Sequence, residues 1–263
     1  MIYIVPKPTD SDGDNSTAAV INELEILGEK WELLSPDIIN PFHNAPERAL
    51  IWICGMKQDQ HQFEVLNALS LNNRCCNTPE AIATCASKVL TSALLIRHLI
   101  PTPKTFFSNS KEAAIKFLNA NSCVVEKPVY GYDGVGVGLV TKENELTGPP
   151  FYLQEYIKNE RDYRIFVING KAVGAIMRES PHLAHNIHQG GTGTPVPLNN
   201  IMEEISVKAA EAVSADYCGV DLLEIPGGYT VLEVNGTPNW HCMSAPIPRL
   251  LARFLSATHG EVI

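Results

Sequence analysis

Two runs near the carboxyl end, CGVDLLEI (218–225) and YTVLEVN (229–235), are separated only by Pro226-Gly227-Gly228. Each alternates apolar and polar side chains, the period of a half-buried strand. Three turn residues between two such runs predict an antiparallel hairpin. A three-residue loop pairs Ile225 with Tyr229, and therefore Asp221 with Glu233. Asn235 follows Glu233 at the same-face spacing of two. Val220, Leu222, Leu232 and Val234 take the opposite face and enter a core. Two carboxylates and an amide are thus held together at a strand end. Opposed carboxylates repel unless a counter-charge lies between them. Such a trio of oxygen donors suits a hard cation, magnesium above all, which takes its other ligands from water and phosphate. A hairpin with an exposed acidic rim is the plain alternative. The rest of the chain decides between them.

With 263 residues, 45% of them hydrophobic, the chain has core material for one large domain or two to three lobes. The formal net charge of −9 argues against nonspecific nucleic-acid binding and against anionic membranes. No apolar run is long enough to span a bilayer. The start, MIYIVPKPTD, reads as a first strand and not as a signal peptide, so the expectation is a soluble cytoplasmic protein. The seven cysteines, Cys54, Cys75, Cys76, Cys85, Cys123, Cys218 and Cys242, include no C-x-x-C pair. They read as reduced, packed thiols. Asp10, Asp12 and Asp14 lack the glycine position and closing glutamate of a calcium loop and read as a solvated turn.

Residues 1–78 alternate in the α/β manner. Strands are predicted at 2–5, 31–34 and 49–54, with helices from a Ser16 or Asn15 cap to about Gly28 and over 61–70. Thr78 and Pro79 open a helical stretch over 79–100 with a break inside it, stopped by Pro101 and Pro103. A small α+β unit follows: 104–107, a helix near 110–119, CVVEKPV (123–129), the glycine-rich GYDGVGVGLV (131–140) and FYLQEYI (151–157). RIFVING and KAVGAIMR make a hairpin about Asn169-Gly170. Helix 200–215, the hairpin already described and a closing helix over 246–258 complete the chain.

Three further features bear on the acidic hairpin. Lys127 ends an apolar strand and is followed by Gly131, Gly134, Gly136 and Gly138. Glycines let backbone N–H groups approach phosphate oxygens, and a lysine adds a point charge. The pattern is neither a P-loop nor a dinucleotide fingerprint. Gln154 and Glu155 sit at a strand end, where hinge backbone can read an adenine edge and Glu155 can accept a hydrogen bond from its amino group or from a ribose hydroxyl. Around Asn169-Gly170, residue 161 pairs with 178 and 164 with 175. Arg161 and Arg178 then become neighbours, which calls for an anion between them.

In this order the features resemble the ATP-grasp superfamily, and most closely its RimK-like branch of amino-acid ligases. The resemblance is carried by Lys88 ahead of IPTP, Lys127 with its glycine loop, QEYI, Asp162-x-Arg164, Arg178, Asn186 ahead of Gly190-Gly191, Gly219-Val220-Asp221 and Glu233-Val234-Asn235. It covers about 79–255; the first 78 residues match only as a generic lead-in. It implies the ATP-grasp fold of the α/β (α+β) class. Residues 1–78 would form an N-terminal parallel-sheet domain and 79–263 the ATP-grasp domain. The latter would comprise a lid at about 101–153 and a larger mixed-sheet core of 79–100 plus 154–263. It also implies ATP with two magnesium ions, manganese being a substitute. On this resemblance Lys88 and Lys127 contact the phosphates, with Gly134 and Gly136 in the cradle. Gln154, Glu155, Tyr156 and Asp162 belong to the nucleotide pocket. Asp221, Glu233 and Asn235 hold the metals, with Glu233 bridging. Arg178 and Asn186 lie at the γ-phosphate and substrate carboxylate, as the catalytic pair.

The implied activity joins a carboxylate to an amine through an acylphosphate, as in α-L-glutamate ligases acting on a small-molecule coenzyme or a peptide. The implied partners are small-molecule carboxylates and amino acids, with no nucleic acid or membrane, and a homo-oligomer like those relatives form. A non-catalytic ATP-binding regulator or assembly protein and a phosphotransferase of the same fold are the alternatives. The chain departs from the pattern at Ala184 and Gln189, where relatives carry basic residues; those positions are on the substrate side. His182, His185 and His188, spaced by three, read as substrate contacts rather than a zinc site. His241 and Cys242 either line the substrate pocket or pack.

Overall fold

A computed structural model describes the chain except residues 13, 14, 58, 132–134, 181–190 and 263. The first stretch alternates β1 (Ile2–Val5), α1 (Ser16–Ile26), β2 (Trp31–Leu33), β3 (Leu50–Ile53), α2 (Gln60–Ser70) and β4 (Arg74–Cys76). Its strands form a parallel sheet in the order β2-β1-β3-β4. All four residues of β3 are buried, as expected of a parallel strand covered on both faces. Asn15 caps α1 by accepting from the Ala18 N–H. The sequence does not announce β4. Arg-Cys-Cys between two asparagines has no pattern of its own, and pairing to β3 makes it a strand.

The predicted break in the next helical stretch is a corner. Between α3 (Pro79–Ala86) and α4 (Lys88–Arg97), Ser87 is extended at φ −90° and ψ 105°, and the two axes meet at 97°. Its hydroxyl accepts from the Leu90 N–H at 3.3 Å, so the residue that ends one helix caps the next. Lys88 is therefore the first residue after a corner. Among the described residues no single helix is long and apolar enough to cross a membrane.

A second sheet holds β5 (Thr105–Ser108), β6 (Val124–Glu126), β7 (Gly138–Val140) and β8 (Phe151–Glu155) in the antiparallel order β5-β8-β6-β7. It packs on α5 (Lys111–Asn121) through Ala114, Leu118, Val124, Phe151 and Leu153. The glycine-rich stretch joins β6 to its antiparallel partner β7.

The third sheet orders β9 (Arg161–Ile168), β10 (Lys171–Glu179), β11 (Thr192–Val196), β12 (Tyr217–Ile225) and β13 (Gly228–Asn235) as β11-β10-β9-β12-β13. The expectation for the core was a mixed sheet, but every described pairing here is antiparallel. β11 was not anticipated; its edge position tolerates Pro195. Helices α6 (Asn200–Ala212) and α7 (Ile247–Val262) complete the core.

Both long hairpins carry a bulge. In β9–β10, Lys171 pairs with Ile168 as predicted, but an irregularity between Ala172 and Gly174 shifts the remainder by one. Arg178 then faces Asp162, and Glu179 faces Arg161. In β12–β13 the turn is one residue shorter than predicted, and Ile225 pairs with Gly228. A bulge at Leu232 adds the residue back, so Asp221 faces Glu233 after all. Val231 and Val234 are buried, whereas Leu232, predicted for the core, is half-buried.

One buried amide joins the first sheet to the third. The Asn77 Nδ2 donates to the carbonyls of Tyr217 and Gly236 at 2.7 and 2.6 Å, and its Oδ1 accepts from the N–H groups of Asp216 and Tyr217 at 2.7 and 3.1 Å. The side chain is fully buried and saturated. Asn77→Ala should lower unfolding free energy by about 2–4 kcal/mol, since four buried backbone groups at the third sheet lose their partner. Urea titration of the variant checks this, and an unchanged midpoint would remove the lock.

Candidate active site

The β12–β13 hairpin brings Asp221, Glu233 and Asn235 together as the sequence predicts. Asp221 is 5% exposed and also lies opposite Arg164 on β9. Arg164 grips it as a fork, Nε to Oδ1 and Nη2 to Oδ2, both at 2.8 Å. From β10, Arg178 reaches the same Oδ2 at 3.0 Å. Arg178 in turn forks onto Asp162, at 2.7 and 2.8 Å. A row of alternating charge, Asp162–Arg178–Asp221–Arg164, therefore crosses three strands. Burial alone would raise the Asp221 pKa; the two guanidiniums outweigh it and hold the pKa at about 2. Burial likewise opposes the charge on Arg178, and Asp221 and Asp162 more than restore it.

This corrects the predicted Arg161–Arg178 pair. The bulge in β10 moves Arg161 out of reach, and it lies instead 3.5 Å from Glu224 near the surface. The arginines that converge are Arg164 and Arg178, and the anion between them is the protein's own Asp221. The D-x-R spacing in β9 carried the missing signal, because residues two apart share a face. Asp162, expected in the nucleotide pocket, presents both carboxylate oxygens to Arg178.

Glu233 is half-buried and has no hydrogen-bond or ion-pair partner among the described residues. The Asn235 Nδ2 makes only long contacts, 3.4 Å to the Gly219 carbonyl and 3.5 Å to Asp221 Oδ2. As oxygen donors, Glu233 and Asn235 fit a magnesium ion as they stand. Asp221 fits by chemistry, yet its oxygens already accept three charge-assisted bonds.

Lys127 leads out of β6, and its ammonium donates to Gln154 Oε1 at 2.6 Å. Gln154 is buried and also donates to Thr105 Oγ1 at 3.2 Å, so it holds the lysine from within the second sheet. Burial pushes the Lys127 pKa down to about 8; Glu233 and Asp221 pull it up, and Lys88 pushes it further down. Lys127 is thus close enough to the acidic hairpin and to Lys88 to feel all three charges. Lys88 anchors the start of the glycine-rich loop, its N–H donating to the Val129 carbonyl at 3.2 Å and its Nζ to the Gly131 carbonyl at 3.1 Å. Gly136 has φ +76°, a conformation that favours glycine. Glu155 ends β8 with its carboxylate 3.6 Å from Lys104 Nζ, and the Tyr156 N–H donates to the Cys123 carbonyl at 3.4 Å. Gly134, Asn186, Ala184, Gln189 and the three histidines at 182, 185 and 188 lie outside the described residues. His241 is half-buried and Cys242 exposed.

The chain is similar to known proteins over most of its length. Residues 85–248 match the profile of the RimK-like ATP-grasp domain. The tetrahydromethanopterin:α-L-glutamate ligase of Methanocaldococcus jannaschii is 35% identical over 196 residues, which cover 68% of this chain and 67% of that protein. The ATP-grasp ligase PsnB, solved with a minimal precursor, Mg and ADP, superposes with a TM-score of 0.77 at 18% identity, over 98% of each chain. The D-cycloserine synthetase DcsG superposes with a TM-score of 0.76 at 15% identity, over 100% of this chain and 99% of its own. These likenesses give the three sheets their common name, the ATP-grasp fold. The chain belongs to the RimK-like ATP-grasp family.

Proposed function

We propose that the protein joins a small-molecule carboxylate to the amino group of an α-amino acid of the glutamate class, using ATP. It is an ATP-dependent carbon–nitrogen ligase. The observation that carries the ATP-ligase reading is the Asp221–Glu233–Asn235 hairpin with Lys127 near enough to feel the charges of Glu233 and Asp221, and the substrate reading is supported by the M. jannaschii relative named for tetrahydromethanopterin and α-L-glutamate. ATP lies between the second and third sheets on this reading, with Lys88, Lys127 and the glycine loop, Gly134 and Gly136 included, on its phosphates. Glu155 and Tyr156 border the base and ribose.

The acid's carboxylate attacks the γ-phosphorus, and the bond to the β-phosphate oxygen breaks to give an acylphosphate and ADP. The amine then attacks the acyl carbon, loses its proton and expels phosphate, leaving an amide. No nucleophile of the protein is needed. Two magnesium ions, held by Asp221, Glu233 and Asn235, would supply charge neutralisation on the transferring group. Lys127 adds a charge whose low-dielectric surroundings strengthen it, Arg178, locked between Asp162 and Asp221, holds the Asp221 carboxylate in place, and the second sheet excludes water from the acylphosphate.

Magnesium-dependent ADP release, screened over pooled carboxylates and amino acids, tests the reading. Release requiring one acid and one amine supports it. Nucleotide binding without release for any pair would favour a non-catalytic ATP-binding protein.

Lys127 gives a prediction with a pH signature. Lys127→Ala should weaken ATP binding by about tenfold or more, because one half-buried charge-assisted contact is lost. In the unaltered protein, ATP affinity should fall as pH rises through about 8, where the ammonium becomes neutral. Stability should move the other way. Between about 8 and 10.5 the unfolded chain binds the extra proton, so the fold gains stability with rising pH in that window. Calorimetric titration and thermal melts at pH 7 and 9 check the pair, and a parallel fall in both would contradict the assignment.

A further inference from the structure

We propose that Arg164 guards the Asp221 carboxylate, so that a divalent cation gains Asp221 as a ligand only when an incoming phosphate has drawn that guanidinium away. The inference deepens the ligase reading and rests on its placement of the metal at the acidic hairpin.

The two arginines on Asp221 are not equivalent. Arg178 is anchored from behind, since its Nε and Nη2 fork onto Asp162 at 2.7 and 2.8 Å and its side chain is 3% exposed. Arg164 has no described partner other than Asp221, and its side chain is 16% exposed. One fork is fixed at both ends; the other is fixed only at the carboxylate it covers. Arg164 lies against Gly219, where an added Cβ would meet its Cδ and Nε at 3.4 and 3.5 Å and the Pro238 Cβ at 3.0 Å. A side chain at 219 would therefore touch the arginine in ordinary van der Waals contact and press on Pro238.

A cation arriving at Asp221 in this state meets two guanidiniums and a carboxylate whose oxygens accept three of their N–H groups. Repulsion between like charges in a site this buried is strong. A phosphate changes the balance. It offers the Arg164 fork an equivalent bidentate acceptor, and it neutralises the charge that opposes the cation. Metal affinity at this carboxylate is thereby made conditional on nucleotide. Arg164 acts here as a positioning residue, through Asp221.

Mn2+ binding, followed by electron paramagnetic resonance without nucleotide, tests the proposal. Arg164→Met should bind Mn2+ about tenfold more tightly than the unaltered protein, the effect of removing one opposing charge. The double variant Arg164→Met/Asp221→Asn should lose that gain. Equal Mn2+ affinity in Arg164→Met and the unaltered protein would overturn the proposal, as would a gain that survives in the double variant. If Arg164→Met does not fold, Arg164→Lys carries the test, with a smaller gain expected and no gain overturning it. A separate arm distinguishes the parent reading: Glu233→Ala should weaken Mn2+ binding in the presence of ADP. If it does not, the metal site at the hairpin fails, whatever Arg164 does.

Discussion

Glu233→Ala should reduce ADP release by about a thousandfold or more, as expected when a metal-held transition state loses its ligand. The fold should survive the change. Glu233 makes no hydrogen bond or ion pair among the described residues, so its removal leaves no such partner unsatisfied there. The neighbours that hold β13 in the core, Val231 and Val234, face the other way and are fully buried. The melting temperature should therefore stay within about 3 °C, the range of substitutions that remove no buried contact. Glu233→Gln keeps the shape and removes the charge, and it should be nearly as inactive. A purely structural glutamate would behave in the opposite way, with a lower Tm and activity restored on cooling. Turnover in Glu233→Ala at saturating magnesium would exclude the metal assignment.

Asp162→Ala should be the most destabilising change in the charged row. It leaves Arg178, 3% exposed, with Asp221 as its remaining carboxylate partner on the row. Removing one member of a buried ion pair costs about 3–5 kcal/mol, because the other charge stays buried without it. For a chain of this size that corresponds to a Tm lower by roughly 6–15 °C. Replacing both, as Asp162→Ala/Arg178→Met, should recover part of the loss even though it removes more polar contacts. Chemical denaturation of the two single variants and the double closes the cycle. A double variant whose loss equals the sum of the singles would show that the two residues are not coupled.

The site was legible in the sequence where strand alternation alone decides it. Asp221, Glu233 and Asn235 share a face by the period of two, and Lys127 followed by glycines placed a cation at a hairpin. The arginine partners were not legible, because one extra residue in β10 exchanges Arg161 for Asp162 opposite Arg178. In KAVGAIMR only Gly174, beside the bulge, hints at it, since a lone glycine inside a strand often marks one. The same limit applies to the fold. β1 and β3 are visible as apolar runs, while β4 and β11 exist because a neighbour offers an edge to pair with. The corner at Ser87 was readable as a break, but its angle depends on packing. Asn77 had no signal at all, since four bonds to backbone groups 139 to 159 residues away leave no local pattern.

The bulge at Leu232 stands between the Pro226-Gly227 turn and the acidic end of the hairpin. It works as a slip joint. On its outer side the strands keep the alignment dictated by the turn, and on its inner side they keep the one demanded by the charged row. A turn one residue longer would need no bulge to bring Asp221 opposite Glu233, and the present turn needs this one. Variation in length at the solvent end of the hairpin can thus be taken up at a single residue, without disturbing the chemistry at the other end.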